Sequence, residues 1–292
     1  MEFRQGTSEE QVLGWLADLG DSACVLAGGT DAMMQYARGE VSAAAFVHIE
    51  RLSSLAVVEH DHVSRLGALT THRFLARDRE IRRRAPALAE AAATVGGWQT
   101  QAVGTLGGNI CNASPAADTA APLLVADATV ELASSSGLRQ VPLQDFFLGR
   151  RKIDRRPWEL VTAVNIIPIA DREGEVYLKA GRRGAMVVAV VGLAARLSFD
   201  QDGGVSNARL ALCSVAPKPI RATKAERILI EGKGSPEAVQ EAGIALLEEV
   251  SPIADSRASA GYRNGILAGF LERAVECCKS RATLDGSGGN DS

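Results

Sequence analysis

Apolar residues at Val12, Trp15, Leu16 and Leu19 recur at i, i+3, i+4 and i+7, the pattern of one buried helical face. Ser8 and Gln11, three apart just before that run, form a capping-box pair that starts the helix. The pattern then switches. "ACVLA" and "AAFVHI" are short continuous apolar runs and read as buried strands. "GGTD" lies between them, so the first stretch of chain reads β-α-β, with Gly28-Gly29 at a strand-to-helix junction. "HVSRLGALT" follows, and "PALAEAAATV" reads as a helix with proline in its first turn. "TVELAS" alternates as a half-buried strand should, "SSSGLRQVPL" supplies a turn and a second strand, and "LVTAVNII" is another.

From Glu175 the character changes. "EVYLKA", the apolar run "AMVVAVVGLAA" and the alternating "ARLALCSV" predict a small sheet, and three helical stretches follow. "SPEAVQEAGIALLEEV" carries its proline and acidic residues early, as a helix start does. "YRNGILAGFLERAVECC" places Tyr262, Ile266, Phe270 and Ala274 on one stripe. The closing "ATLDGSGGNDS" has too little to bury and reads as a disordered tail. These elements divide the chain into residues 1–172 (subdomains 1–52 and 53–172), residues 173–279, and a tail of residues 280–292.

Composition narrows the function. A net charge of −3 over 292 residues argues against a dedicated nucleic-acid binder. A basic run, Arg77 to Arg84, reads as a solvated helix face. The N-terminus is polar where a secretory signal needs a basic start and an apolar stretch. The longest charge-free apolar run, Ala185 to Ala195, is too short to span a bilayer as a helix. Five scattered cysteines, no CxxC pair and only four histidines predict neither disulfides nor a metal or iron–sulfur site held by this chain alone. The expected compartment is a reducing cytoplasm.

Two glycine loops carry the candidate chemistry: "LAGGTD", Leu26 to Asp31, and "GTLGGN", Gly104 to Asn109. Both follow elements read as buried. Glycine lets backbone approach a ligand closely, and successive amides that share one concavity bind anionic oxygens without lysine or arginine. Thr30 and Thr105 add hydroxyl donors. Two such loops from separate parts of a fold can clamp a diphosphate from both sides. Each loop taken alone also reads as a tight turn. Neither the P-loop spacing nor the dinucleotide fingerprint GxGxxG is present.

Together the loops resemble those of the FAD-binding (medium) subunit of molybdenum hydroxylases of the carbon monoxide dehydrogenase and xanthine dehydrogenase type. "VLAGGTDAMM", "FVHIERL", "LGALTTHRFLA" and "VGTLGGNICNASPAADTAAPLLVADATVEL" resemble that family in order. So do "VPLQDFFLGRRK", "YLKAGRRGAMVVAVVGLAARL", "LCSVAPKPIRA" and "DSRASAGYRNGILAGFLERA". The resemblance implies an α+β chain: a two-subdomain FAD-binding fold followed by a smaller C-terminal α+β domain. It implies that Leu26, Ala27, Gly28, Gly29, Thr30 and Asp31 form the first FAD loop. Thr105, Gly107, Gly108 and Asn109 would hold the pyrophosphate from the other side. Asp118 would accept hydrogen bonds from the adenosine half, or else cap a helix. Lys179 would sit near the flavin ring, or else be an exposed strand lysine.

The same resemblance implies FAD as this chain's cofactor, with molybdopterin and [2Fe–2S] clusters confined to a large and a small partner subunit. Electrons would pass from those clusters to an external acceptor: NAD⁺, a quinone or oxygen. No acid–base constellation is evident, which fits a chain whose cofactor carries the chemistry. The sequence departs from the family at Thr100-Gln101-Ala102, where members often carry Ile-Arg-Asn, and so lacks a cation there. His72 is a candidate flavin tether in principle, but nothing around it supports that, and a non-covalent cofactor is expected. Trp98, beside the second loop, is expected to be buried. The rival readings are a stand-alone FAD-dependent oxidoreductase of the same fold and a non-redox nucleotide-binding scaffold.

Overall fold

The computed structural model describes residues 2–184 and 186–285. The first unit is a three-stranded parallel sheet in which Ala45–His48 lies between Glu2–Gln5 and Ala23–Leu26. The helices Glu9–Leu19 and Ala32–Ala37 make the crossovers. Ser8 starts the first of these, its side chain accepting from the Gln11 amide, while the Gln11 side chain accepts from the Thr7 amide. The leading strand Glu2–Gln5 was not legible, because "EFRQ" is polar and largely solvent-facing. Val12 and Leu16 pack with Val47, Ile49, Leu52 and Leu55 beneath this sheet.

The second unit is a five-stranded antiparallel sheet with the late strand Leu160–Ile166 at its centre. That strand pairs with Ser64–Gly67 on one side and Thr129–Ser134 on the other, so the chain leaves this sheet and returns to its middle. The helices inserted between those strands include His72–Arg77, Pro86–Thr94, Leu106–Asn112 and Ala120–Val125. Their alanines and leucines bury against one face of the sheet. The third unit is a four-stranded antiparallel sheet, Glu173–Ala180, Val191–Phe199, Val205–Cys213 and Ile220–Arg221 in that order, with helices Thr223–Glu231, Pro236–Glu249 and Ala260–Asp285 against it.

A helix from the second unit covers the open edge of the third. Along Pro86–Thr94, the Ala87 amide donates to Glu175 Oε2 at 3.0 Å. The Tyr177 amide donates to Glu90 Oε2 at 2.8 Å, and Lys179 Nζ donates to the Thr94 carbonyl at 3.0 Å. Helix positions 87, 90 and 94 thus meet strand positions 175, 177 and 179, the two periodicities running side by side. Arg196 pairs with Glu175 beneath this seam, both fully buried. Burial pushes the Glu175 carboxyl up, and Arg196 opposes it. An exposed edge strand invites wrong pairing, and this helix removes it.

Two expectations need correction. The buried stripe of the last helix is Arg263, Leu267, Leu271, Ala274, Val275 and Cys278, one position on from Tyr262, Ile266 and Phe270. Tyr262 stands exposed, because Arg263 reaches inward to the Val190 and Ser214 carbonyls and to Asp255. The same helix runs through Asp285, past the point where the tail was expected to begin; residues 286–292 lie outside the described residues. Among the described residues no helix is long and apolar enough to cross a membrane.

Candidate functional site

The two glycine loops meet. A Cβ on Gly28 would lie 1.7 Å from the Val103 carbonyl oxygen and 3.2 Å from the Gly104 amide nitrogen. Only glycine permits that backbone-on-backbone approach, so the first loop is shaped to its neighbour. Gly29 follows with φ +69°, a left-handed conformation that a side chain would strain. Beside this contact lies a cavity of about 220 Å³ lined by both loops, including Ala27, Gly28, Gly29, Thr30, Thr105 and Asn109. Gly104, Gly108 and Asp31 also line it, and its lining residues include no lysine or arginine. A second cavity of about 310 Å³ shares Ala27, Thr105, Gly108 and Cys111 and adds Ile49, Leu69 and Gly107.

The loops differ in what their amides do. In the first, the amides of Gly28, Gly29 and Thr30 have no hydrogen-bond acceptor among the described residues. In the second, Leu106 donates to the Thr70 carbonyl, Gly107 to the Ala68 carbonyl and Asn109 to the Thr105 carbonyl, each at 2.9 Å. Gly108 donates to Thr105 Oγ1 at 3.1 Å, which makes Thr105 the cap of helix Leu106–Asn112. Gly107 is buried, and a Cβ there would meet Ala68 Cβ at 2.7 Å. What the second loop still offers is side-chain chemistry. The Thr105 hydroxyl keeps its own hydrogen. Asn109 Oδ1 accepts from the Thr119 hydroxyl at 2.7 Å, which leaves the Nδ2 amino group to donate.

Sequence reasoning missed several lining residues. Gln35 Nε2 donates to Asn112 Oδ1 at 2.8 Å and bridges the helix that follows the first loop to the helix the second loop begins. The signal for Asn112 was present: Thr105, Asn109 and Asn112 stand at i, i+4 and i+7, a polar helical face. Cys24 and Cys111 line both cavities. Burial raises both thiols, Cys111 to about 11, so neither adds a thiolate beside the loops. Burial also raises the Asp31 carboxyl, with Arg151 pulling the other way. Leu26 is not a lining residue; its side chain is buried at the end of its strand.

Asp118 and Lys179 form a separate cluster. Lys179 Nζ lies 2.8 Å from Asp118 Oδ2, and the Tyr177 hydroxyl donates to Asp118 Oδ1 at 2.7 Å. Burial pushes the Asp118 carboxyl up, against the pull of Lys179. Both carboxylate oxygens therefore already have partners, and Asp118 lines neither loop cavity. It is not a helix cap either, since Thr119 occupies that position before Ala120–Val125. Lys179 is not an exposed strand lysine: its side chain is 8% exposed. It lines a third cavity of about 560 Å³ with Thr94, Gly96, Arg182 and Arg183.

Trp98 is 65% exposed, which overturns the expectation that it is buried. Arg73 and Arg77, four apart on helix His72–Arg77, hold guanidiniums 5.0 and 4.9 Å from its ring centroid. Two cations stacked on the ring stabilise an indole in solvent. The whole helix Trp98–Val103 has no buried residue, so the second loop does not follow a buried element.

Residues 1–169 match the family model of the FAD binding domain in molybdopterin dehydrogenase. Residues 176–278 match that of the CO dehydrogenase flavoprotein C-terminal domain. The xanthine dehydrogenase FAD-binding subunit of Escherichia coli is 31% identical over 276 residues, 94% of each chain. The carbon monoxide dehydrogenase medium chain of Hydrogenophaga pseudoflava is 28% identical over 282 residues, covering 96% of this chain and 97% of that one. Among solved structures, carbon monoxide dehydrogenase from H. pseudoflava superposes with a TM-score of 0.92 at 29% identity, covering 96% of this chain and 98% of that one. Quinoline 2-oxidoreductase from Pseudomonas putida gives 0.90 at 25%, with coverages of 97% and 98%. Fold and sequence agree: the chain belongs to the family of FAD-binding subunits of molybdenum-dependent dehydrogenases.

Proposed function

We propose that this chain holds FAD between its two glycine loops and serves as the electron-transfer subunit of a molybdenum hydroxylase complex. One observation carries the reading: the first loop abuts the second backbone to backbone, with the Gly28, Gly29 and Thr30 amides unpartnered among the described residues, beside a cavity whose lining has no lysine or arginine. That is a binding place for the linked phosphates of a dinucleotide, recognised by dipoles rather than by charge. The cavity is fitted to the group by glycines whose Cβ atoms would collide with backbone.

In this reading, Gly28, Gly29 and Thr30 donate backbone hydrogens to the diphosphate. Thr105 and Asn109 donate from the opposite side through their side chains. Gly107 and Gly108 hold the second loop in shape. Asp118, fixed by Tyr177, positions Lys179 at the edge of the largest of the three cavities, where its ammonium favours electron density on a bound ring. FAD, when bound, supplies the exchange between one-electron and two-electron carriers. The protein supplies binding, orientation and electrostatics.

The partners proposed are a large subunit bearing the molybdenum cofactor and a small subunit bearing [2Fe–2S] clusters, with electrons leaving to an external acceptor. The names of the relatives support this, since medium chains belong to assemblies of several chains. The test is direct. Purified chain is stripped of cofactor and titrated with FAD, following flavin fluorescence. Saturable binding at one FAD per chain is expected, and no binding by folded protein overturns the proposal. Mass spectrometry of the native assembly then identifies the accompanying chains and metals.

A further inference from the structure

His72 opens the helix His72–Arg77, in the segment "GALTTH", and its side chain is 2% exposed. Neither ring nitrogen has a hydrogen-bond partner among the described residues, and Nδ1 is buried outright. A buried imidazole nitrogen without a partner is costly to keep. Yet the ring is one of the walls of the loop cavity, beside Thr105 and Gly104. The backbone fixes it there. The His72 amide donates to the Gly104 carbonyl at 3.0 Å, and Thr71 bridges to Thr105. A Cβ on Gly104 would stand 3.1 Å from His72 Cδ2, so the glycine leaves room for the ring.

We infer that His72 is a cofactor-binding residue, whose Nε2–H donates a hydrogen bond to the anionic linker of the dinucleotide held between the loops. This rests on the FAD reading above. The tautomer follows from the burial of Nδ1. Placing the proton there would leave a buried N–H without an acceptor, whereas a proton on Nε2 leaves only a lone pair orphaned. Burial is also the cause that lowers the His72 pKa, to about 4, so the ring is neutral near pH 7. The contact is then a neutral donor to an anion. Alongside the free amides of the first loop, His72 is a third side-chain donor besides the Thr105 hydroxyl and the Asn109 amide.

The test compares apoprotein of the wild type with His72→Phe, His72→Gln and His72→Asn, titrated with FAD and with ADP. Phenylalanine fills the space without a donor, and glutamine places an N–H near the position of Nε2. His72→Phe is expected to bind both probes about 10- to 100-fold more weakly, the range for losing a hydrogen bond to a charged group. His72→Gln is expected to recover most of that, and His72→Asn much less. His72→Phe binding FAD as tightly as the wild type overturns the inference, as does rescue by His72→Asn alone. A wild type that binds no FAD overturns the functional proposal instead, so the two failures are distinct. Should His72→Phe fail to fold, nitrogen NMR of wild-type protein with labelled histidine decides. The His72 Nε2 signal must shift on adding FAD, and an unchanged signal overturns the inference.

Discussion

The two loops at the cleft look alike in sequence and differ in how they are built. "AGGTD" leaves its Gly28, Gly29 and Thr30 amides without acceptors among the described residues and takes its shape from a left-handed glycine and from contact with Val103. "GTLGGN" is the first turn of a helix, and its amides are engaged by Ala68, Thr70 and Thr105. The first is a surface of backbone donors, and the second is a wall that donates only through side chains. A pair of glycine-rich loops therefore need not be a symmetric clamp. What decides the role is where each backbone hydrogen goes, and every buried amide must be accounted for.

The largest effect should come from the point where the loops touch. Gly28→Val places side-chain atoms inside the Val103 carbonyl, which is backbone and cannot rotate away. We expect the apoprotein to lose about 3 kcal/mol or more, the upper end for overpacking, together with FAD binding. Chemical denaturation and fluorescence titration check the two losses. A stable Gly28→Val that still binds FAD breaks the comparison at its root.

The next effect belongs to His72 and is read through acid. Its folded-state pKa, about 4, lies below the ordinary 6.5, so the folded protein binds fewer protons than the unfolded chain across that window. Its contribution to stability is full above pH 6.5 and is lost as pH falls toward 4, on the order of 3 kcal/mol in total. Urea midpoints of apoprotein at several pH values measure this. His72→Phe should flatten that part of the profile, and bound FAD should shrink it by giving the ring an anionic partner. An unchanged acid profile in His72→Phe assigns the loss to other groups.

Much of this was legible in the sequence, and the failures have causes. The Ser8 cap, the strand-to-helix junction at Gly28-Gly29 and the proline-led helices declare themselves locally, and the structure has each. The strand Glu2–Gln5 does not, because its residues are held by pairing with Ala45–His48 and not by their own burial. Trp98 misled because two arginines from another helix, not a core, receive its ring. The last helix misled because Arg263 is buried by long-range bonds that no periodicity reveals. At the site, glycine spacing located both loops. It could not tell free amides from engaged ones, since the acceptors Ala68 and Thr70 lie far back in the chain.

A smaller effect tests the second loop as a wall. Thr105→Ala removes the hydroxyl that caps the Gly108 amide, and about 1 kcal/mol of apoprotein stability should go with it. Thr105→Ser should keep most of that. Thermal denaturation of the apoproteins separates the cap from the cofactor, and FAD titration then reports the remaining hydroxyl donor. A Thr105→Ala protein as stable as the wild type removes the capping account.

The smallest effect on stability is expected at Gly108, and it is the most discriminating. A Cβ there would meet only Thr105 Oγ1, at 3.0 Å, and otherwise open space. Alanine also favours the helix over glycine by about 1 kcal/mol, which offsets that tight contact. The apoprotein of Gly108→Ala should therefore differ from the wild type by less than about 0.5 kcal/mol. Its methyl group, however, stands on the cavity wall, where a loop that acts by shape has no room to spare. FAD affinity should fall while folding is untouched, the opposite of a lost donor, because the Gly108 amide already belongs to Thr105. If Gly108→Ala binds FAD unchanged, the cofactor does not reach this wall, and the first loop must hold the linker without it.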